Sequence, residues 1–205
     1  MYNECLYSSL WPLLTRGEDK TIEDRFIEEV KKSDQLELAV GFVSYKSLME
    51  LDKLVTQQNI KNVSLILGMY FFNGFPEELL KLTLEINDKW QKSWIGEIRV
   101  IHSFRYHGKL YCFLKNHEVY STMIGSPNLS FLTTKLMWQQ YEIALLTNDL
   151  KILEKTKSHI DSLKSENISK NIAVLAKNQQ LIVIKTDAIE SKNPSKIDRK
   201  NIFKK

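Results

Sequence analysis

The feature that most constrains the fold is a nearly continuous apolar run at Leu36–Val43, which reads LELAVGFV. β-Branched and apolar residues at almost every position are typical of a strand that is covered on both of its faces. A second run of this kind, Val63–Leu67, follows a segment in which leucines recur at helical spacing. Buried strands that alternate with helices predict an α/β fold, in which a sheet forms the central layer.

Capping residues and hydrophobic periodicity extend this pattern along the chain. The predicted helices are Thr21–Lys32, Ser44–Gln58, Pro76–Trp90 and Asp149–Leu163. The predicted strands are Leu36–Val43, Val63–Leu67, Glu97–Ile101, Leu110–Leu114, Val119–Ile124 and Tyr141–Leu146. A tight turn joins the fourth and fifth of these strands into a hairpin, which brings antiparallel pairing into the sheet. We therefore predict an α/β sandwich with a mixed β-sheet flanked by helices on both faces.

Charge separates the C-terminal part of the chain from the rest. The formal net charge is +4, and residues 151–205 alone carry 13 Lys and Arg against 6 Asp and Glu. We predict one domain over residues 1–165 and a basic C-terminal extension over residues 166–205, partly ordered and then disordered. The short apolar runs Ile172–Leu175 and Leu181–Ile184 fit either a strand or a docking segment. The basic region either attracts a polyanion such as nucleic acid or is a solvated tail.

The composition argues against a membrane protein and against a small protein stabilised by disulfides. No apolar run is long enough to cross a bilayer, and the first residues contain no basic segment that would begin a signal peptide. The two cysteines, Cys5 and Cys112, do not make a disulfide framework. A reducing, cytoplasmic location is the simplest expectation.

Two short motifs bring polar side chains to one end of the predicted hairpin. His107 and Lys109 stand two apart at the start of one strand, so their side chains point to the same face. Ser126 and Asn128 stand two apart after the end of the next strand. Since the turn near Asn116 folds these strands back on each other, the two pairs meet at the same edge of the sheet. An imidazole, an ammonium, a hydroxyl and a carboxamide are therefore expected to converge.

This set of groups suits a phosphodiester. Lys109 supplies a positive charge for the non-bridging oxygens, and Ser126 and Asn128 donate hydrogen bonds to them. His107 is the only plausible nucleophile or general acid of the set. Glu142, on a neighbouring strand, is expected to accept from the other imidazole nitrogen and to fix its tautomer. No other carboxylate accompanies the motif, so no metal ion is expected.

The stretch HGKLY, followed by GSPNLS and then YEIALL, resembles the phospholipase D superfamily. The motif of that superfamily is His-x-Lys with a downstream Gly-Ser-x-Asn. The wider motif has an Asp five residues after the Lys, where this chain has Leu114. The loss of that Asp resembles the nuclease branch, in particular the metal-independent restriction endonucleases of the NgoFVII type. The resemblance covers roughly residues 20–165 and includes the early strand with LELAVGFVS.

The resemblance implies a role for each residue of the motif. His107 is implied as the nucleophile, Lys109, Ser126 and Asn128 as the phosphate site, and Glu142 as the residue that orients His107. Members of the superfamily use two His-x-Lys units per active site, whereas only one of the 4 histidines here is followed two positions later by Lys. A homodimer with a shared site on its two-fold axis and a phosphohistidine intermediate are therefore implied. In the restriction group a separate domain recognises DNA, so a recognition domain or a restriction-system partner is expected.

We therefore predict a metal-independent enzyme that cleaves DNA without a cofactor, in the manner of a restriction endonuclease. Arg105 and Lys115 are candidate contacts to the DNA backbone. One alternative is hydrolysis of a phospholipid or another phosphodiester by a site of the same kind. The other alternative is a non-catalytic DNA-binding dimer module, in which the motif survives as an anion site.

Overall fold

The computed structural model describes residues 2–8, 20–133 and 141–185. Its strands, in chain order, are β1 (Asn3–Tyr7), β2 (Gln35–Val40), β3 (Asn62–Leu67), β4 (Phe75–Pro76), β5 (Gly96–Ile101), β6 (Lys109–Lys115), β7 (Glu118–Gly125), β8 (Ile143–Thr147), β9 (Ser169–Asn171) and β10 (Val183–Ile184). Its helices are α1 (Ile22–Lys32), α2 (Tyr45–Gln57), α3 (Tyr70–Asn73), α4 (Glu77–Lys92), α5 (Leu150–Leu163) and α6 (Ile172–Lys177), with a 3-10 helix at Leu129–Leu132. All of the predicted helices and strands are present.

Eight strands form one mixed sheet in the order β1-β8-β7-β6-β2-β3-β5-β9. Strands β2, β3 and β5 run parallel to one another, and the other neighbours in this sheet pair antiparallel. The two remaining strands, β4 and β10, pair parallel with each other outside this sheet. The predicted mixed sheet is therefore confirmed.

Helices cover both faces of the sheet, as the sequence predicts. Along β2, Leu38 belongs to the larger core and Ala39 to a smaller core on the opposite face. The larger core also receives Phe26 from α1 and Trp90 from α4, while Ile160 of α5 closes the smaller one. Burying a large apolar side chain stabilises the fold by roughly 1.5–3 kcal/mol, so the two cores make the sheet a firm support for the residues at its edges.

Capping groups set the helix ends where the sequence predicts them. Thr21 Oγ1 accepts from the Asp24 amide at 3.1 Å at the start of α1. Ser44 and Ser47 form a reciprocal capping box at the start of α2, and Asp149 accepts from two amides at the start of α5. Caps of this kind stabilise a helix by about 1 kcal/mol each.

Strand β2 ends earlier than its apolar run predicts. The sequence favours a strand to Val43, but the pairing with neighbouring strands stops at Val40, which lies opposite Lys109. Beyond that point, the Phe42 amide donates to the side chain of Asn128 instead of to a neighbouring strand. The end of the apolar run is therefore a loop at the edge of the sheet, close to the polar motif.

Part of the C-terminal extension belongs to the sheet. Strand β9 pairs with β5 at one edge, and α6 follows directly, with Ile172 and Leu175 in the larger core. The first of the two short apolar runs is thus helical, and the second contains the strand β10. The rest of the predicted extension, residues 186–205, lies outside the described residues. None of the described helices is both long and apolar enough to span a membrane.

Candidate active site

The predicted site residues lie along one edge of the sheet, termed the motif edge. It is formed by the carboxyl ends of β2 and β7 and the amino ends of β6 and β8, because these neighbours run antiparallel. Lys109 begins β6 opposite Val40, and Gly125 ends β7 opposite Ala144. Five predicted residues share this edge: His107, Lys109, Ser126, Asn128 and Glu142.

His107 and Lys109 are in direct contact. Lys109 Nζ lies 2.9 Å from His107 Nδ1 and donates to the His107 carbonyl oxygen at 2.7 Å. The imidazole is exposed, whereas Lys109 is only 7% exposed. Burial lowers the pKa of Lys109 from its ordinary value, and the nearby Glu142 carboxylate opposes this shift. A largely buried ammonium beside an accessible imidazole is suited to hold an anion next to the ring.

The loop after β2 forms one wall of the site. Gly41 lies against the imidazole, and a Cβ atom at this position would come within 3.1 Å of His107 Cδ2. The Phe42 ring meets the imidazole at a steep angle, with ring centroids 6.2 Å apart. A larger residue at position 41 would therefore press on the imidazole, and the loop supports the ring from the β2 side.

Asn128 is held through its side-chain oxygen. The Phe42 amide donates to Asn128 Oδ1 at 3.0 Å. A backbone N–H can only donate, so this contact assigns the oxygen end of the carboxamide to the loop. Within the described part of the chain, the side-chain nitrogen of Asn128 has no hydrogen-bond partner. It is therefore the group that remains to donate to a ligand.

Glu142 is paired with Ser126. The Ser126 hydroxyl donates to a Glu142 carboxylate oxygen and accepts from the Ile143 amide at 3.1 Å. The Glu142 amide is in turn held by the Ser8 hydroxyl at 3.0 Å. Among the described residues, no hydrogen bond joins Glu142 to His107, so the role of Glu142 in orienting the imidazole stays a prediction. The strand spacing brings Glu142 to the correct edge, where Ser126 is the available donor.

The two candidate DNA contacts lie at different ends of the hairpin. Arg105 stands two residues before His107, is exposed, and places its guanidinium 5.0 Å from the centroid of the Phe72 ring. Lys115 is the last residue of β6 and lies opposite Glu118 beside the turn. At about 3.3 Å per residue, the length of β6 separates Lys115 from the motif edge by roughly 20 Å. Arg105 therefore shares the motif edge, and Lys115 does not.

Two tyrosines that hold this edge were not singled out from the sequence as site residues. Tyr70 Oη donates to the Val43 carbonyl, and Tyr111 Oη donates to the Pro127 carbonyl, each at 2.5 Å. The partners are 27 and 16 residues apart in sequence. Contacts at these separations leave no periodic signal. Tyr111 ends the stretch HGKLY, but neither tyrosine belongs to the His-x-Lys or the Gly-Ser-x-Asn motif.

The arrangement can bind a tetrahedral anion and attack it. A positive charge, an amide donor and an accessible imidazole lie within one short stretch of the motif edge. Groups of three or more His, Cys, Asp or Glu side chains that could hold a metal ion do not occur among the residues the structure describes.

A comparison with protein families decides the affiliation of the chain. The profile of the NgoFVII restriction endonuclease N-terminal PLD domain matches residues 20–177, which is most of the chain. The chain belongs to this family. PLD denotes phospholipase D, so the resemblance seen in the sequence is confirmed, and the chain contains a PLD domain of the NgoFVII type. The matched range contains every predicted site residue.

Solved structures agree with the fold of an NgoFVII-type domain. NucT from Helicobacter pylori aligns with a TM-score of 0.52 at 16% identity, over 82% of this chain and 97% of its own. A phosphatidylserine synthase from Haemophilus influenzae Rd KW20 aligns with a TM-score of 0.54 at 13% identity, over 82% of this chain and 39% of its own. At these identities the likeness shows the fold alone. No curated protein matches the chain.

Proposed function

We propose that this NgoFVII-type domain is an endodeoxyribonuclease that acts as a homodimer, without a metal ion, through a phosphohistidine intermediate. The observation that carries the proposal is the contact, at 2.9 Å, between the accessible imidazole of His107 and the buried ammonium of Lys109. The side-chain nitrogen of Asn128 adds a donor at the same edge. A nucleophile, a fixed positive charge and a hydrogen-bond donor are the groups that phosphoryl transfer to a side chain requires.

The proposed reaction has two displacements at the same phosphorus. In the first, His107 attacks, a P–N bond forms, and the bond to the leaving oxygen breaks as His107 of the partner subunit gives that oxygen its proton. In the second, the partner's His107 takes a proton from water, whose oxygen attacks the phosphorus and displaces the first imidazole. Lys109 and Asn128 stabilise the charge on the non-bridging oxygens in both displacements.

The dimer is proposed because the reaction needs two imidazoles in opposite protonation states. Each chain contributes one His-x-Lys unit, and that unit lies at an exposed edge. Exposed apolar side chains flank the pair formed by Ser126 and Glu142: Ile124 at 37%, Tyr141 at 44% and Ile143 at 50% exposure. Such a cluster beside an incomplete site favours contact with a second copy of the chain.

Metal independence and DNA as substrate are supported by charge. Lys109 supplies next to the phosphate the positive charge that a magnesium ion supplies in nucleases built from carboxylates. The excess of Lys and Arg in residues 151–205 favours a polyanionic substrate over a neutral one. Recognition of a particular DNA sequence is expected to come from a separate domain or a partner protein.

The decisive experiment is incubation of the purified protein with plasmid DNA in EDTA, with the wild type beside Lys109→Ala. We expect the wild type to cleave in the chelator and the variant to cleave roughly a hundredfold or more slowly. Quenching at short times with alkaline detergent, in which the P–N bond of a phosphohistidine survives, should trap labelled DNA covalently on the wild type. Activity that disappears in EDTA and returns with magnesium would overturn metal independence. Cleavage of phospholipid vesicles but not of plasmid would support the lipid alternative, and DNA binding without cleavage would support a non-catalytic module.

A further inference from the structure

We infer that Tyr70 and Tyr111 are positioning residues, which hold the Asn128 carboxamide from two sides so that its nitrogen faces the phosphate. The inference rests on the proposed function, in which Asn128 donates to the non-bridging oxygens. It concerns the groups that keep this donor in place. Both tyrosines are buried, and neither belongs to the residues that would touch the substrate.

Tyr111 holds the backbone that precedes Asn128. Its side chain is fully buried, and its Oη donates to the Pro127 carbonyl at 2.5 Å. Its ring packs against Phe26 and Phe131, with ring centroids 5.7 and 5.9 Å apart. Because Tyr111 belongs to β6, near the middle of the eight-stranded sheet, the loop that carries Asn128 is tied to a well-supported strand.

Tyr70 holds the loop on the other side of the carboxamide. Its Oη donates to the Val43 carbonyl at 2.5 Å and accepts from the Val43 amide at 3.1 Å. Its ring stacks on Phe75, with centroids 4.2 Å apart. These contacts fix the backbone directly after Phe42, whose amide donates to Asn128 Oδ1.

Together the two anchors decide which end of the carboxamide faces the substrate. With the Phe42 amide in place, the oxygen of Asn128 is engaged, and the nitrogen is left for the phosphate. If either loop shifts, the carboxamide can turn and present its oxygen, which repels a phosphate oxygen. Burial raises the pKa of Tyr70 to about 12 and raises that of Tyr111 well above its ordinary value. Both phenols therefore keep the donated proton throughout the neutral pH range.

Tyr120 offers a matched control for the loss of a tyrosine hydroxyl. Its Oη also donates to a backbone carbonyl, that of Glu29, at 2.7 Å. Tyr120 lies in β7 near the turn, at the end of the strand away from the motif edge. Replacement by Phe therefore removes a comparable hydrogen bond without changing the surroundings of Asn128.

The test compares kcat and KM for DNA cleavage by the wild type, Tyr70→Phe, Tyr111→Phe and Tyr120→Phe. We expect kcat to fall about tenfold in Tyr70→Phe and Tyr111→Phe, with KM within about twofold. A misplaced donor weakens the stabilisation of the transition state more than the binding of the substrate. Tyr120→Phe should stay within about twofold of the wild type in both constants. Equal losses in all three variants would indicate a general structural role and overturn the inference.

A double-mutant cycle with Asn128→Ala tests whether the tyrosines act through the carboxamide. In that background, Tyr70→Phe and Tyr111→Phe should cause no further loss of kcat, because the group that they position is gone. If the tenfold loss persists in the absence of the Asn128 side chain, the two tyrosines act on something else and the inference is wrong.

A measurement without cleavage separates this inference from the proposed function. In NMR spectra, the side-chain amide signals of Asn128 should shift on titration with inorganic phosphate in the wild type and in Tyr120→Phe, and respond more weakly in Tyr70→Phe and Tyr111→Phe. If the wild type fails to cleave DNA yet gives this pattern, the proposed function fails and the inference stands. The same response in all four proteins would overturn the inference.

Discussion

The two ends of the β6–β7 hairpin each place a histidine beside one polar side chain, and they differ in what that side chain is. At the motif edge, the ammonium of Lys109 lies 2.9 Å from His107 Nδ1. At the turn, the neutral carboxamide of Gln35 lies 2.9 Å from His117 Nδ1. The turn end also has a groove of about 610 Å³ beside the exposed Trp94.

The comparison indicates that a groove alone, as at the turn end, does not suit a phosphodiester. A positive charge beside an accessible imidazole, as at the motif edge, suits it better. In the groove, the Asn116 amide donates to the Asp34 carboxylate at 3.0 Å, and that carboxylate would repel a phosphate. Asn116 and His117 have φ values of 51° and 70°, as a two-residue hairpin turn requires. His117 therefore serves the turn, whereas His107 lies beside a cation at an accessible edge.

The largest expected effect separates the two histidines. His107→Ala should reduce plasmid cleavage by roughly a thousandfold or more, because it removes both the nucleophile and the proton donor of the proposed reaction. His117→Ala should leave the rate within about twofold, measured under the same conditions. Normal cleavage by His107→Ala would refute the mechanism.

The two lysines at the ends of β6 give the second test. Lys109→Ala should lower kcat by roughly a hundredfold to a thousandfold, since it removes the buried positive charge next to the phosphate. Lys115→Ala, about 20 Å away along the strand, should change it by no more than about twofold. A comparable loss in both variants, measured by single-turnover cleavage, would mean that the turn end also contacts the DNA.

A smaller effect is expected on self-association. Ile143→Arg adds a charge to the apolar cluster beside the site and should weaken the dimer by about tenfold or more, as measured by sedimentation velocity. Val174→Arg changes a side chain of similar exposure, 47% against 50%, on the surface of α6. This second variant should associate like the wild type, and equal weakening in both would place the dimer contact elsewhere.

The smallest effect is on the pH dependence of cleavage. The Glu142 carboxylate raises the pKa of Lys109 against the lowering caused by burial. Glu142→Gln removes that carboxylate, so the pKa of Lys109 should fall and the ammonium should lose its proton at a lower pH. The alkaline limb of the pH–rate profile should therefore move to lower pH, and a shift to higher pH would contradict the proposed role of Lys109.

Much of the fold follows from local signals in the sequence. The apolar runs give β2 and β3, and the caps at Thr21 and Ser44 give the starts of α1 and α2. Strand β1 was missed because its main partner is β8, some 140 residues away, and its own pattern is short and half-exposed. The run Ile172–Leu175 was ambiguous for the same reason, because four apolar residues fit a strand and a helix equally well.

The site was predictable in its residues but less so in its contacts. Spacing within one hairpin is enough to bring His107, Lys109 and Asn128 to a common edge. Whether Glu142 contacts His107 or Ser126 depends on side-chain distances that the strand register alone does not determine. The end of β2 at Val40 depends likewise on a partner, Asn128, that is distant in sequence.

Lys109 is at once the site's ammonium and the first residue of β6, the fourth of eight strands in the sheet. A strand that is paired on both sides opens less readily than one at the edge of a sheet. In the proposed dimer, the Lys109 part of the site should therefore persist until the domain itself melts. At protein concentrations that keep the dimer intact, thermal inactivation should follow the cooperative melting of the domain, and substitutions deep in either core should lower both temperatures together.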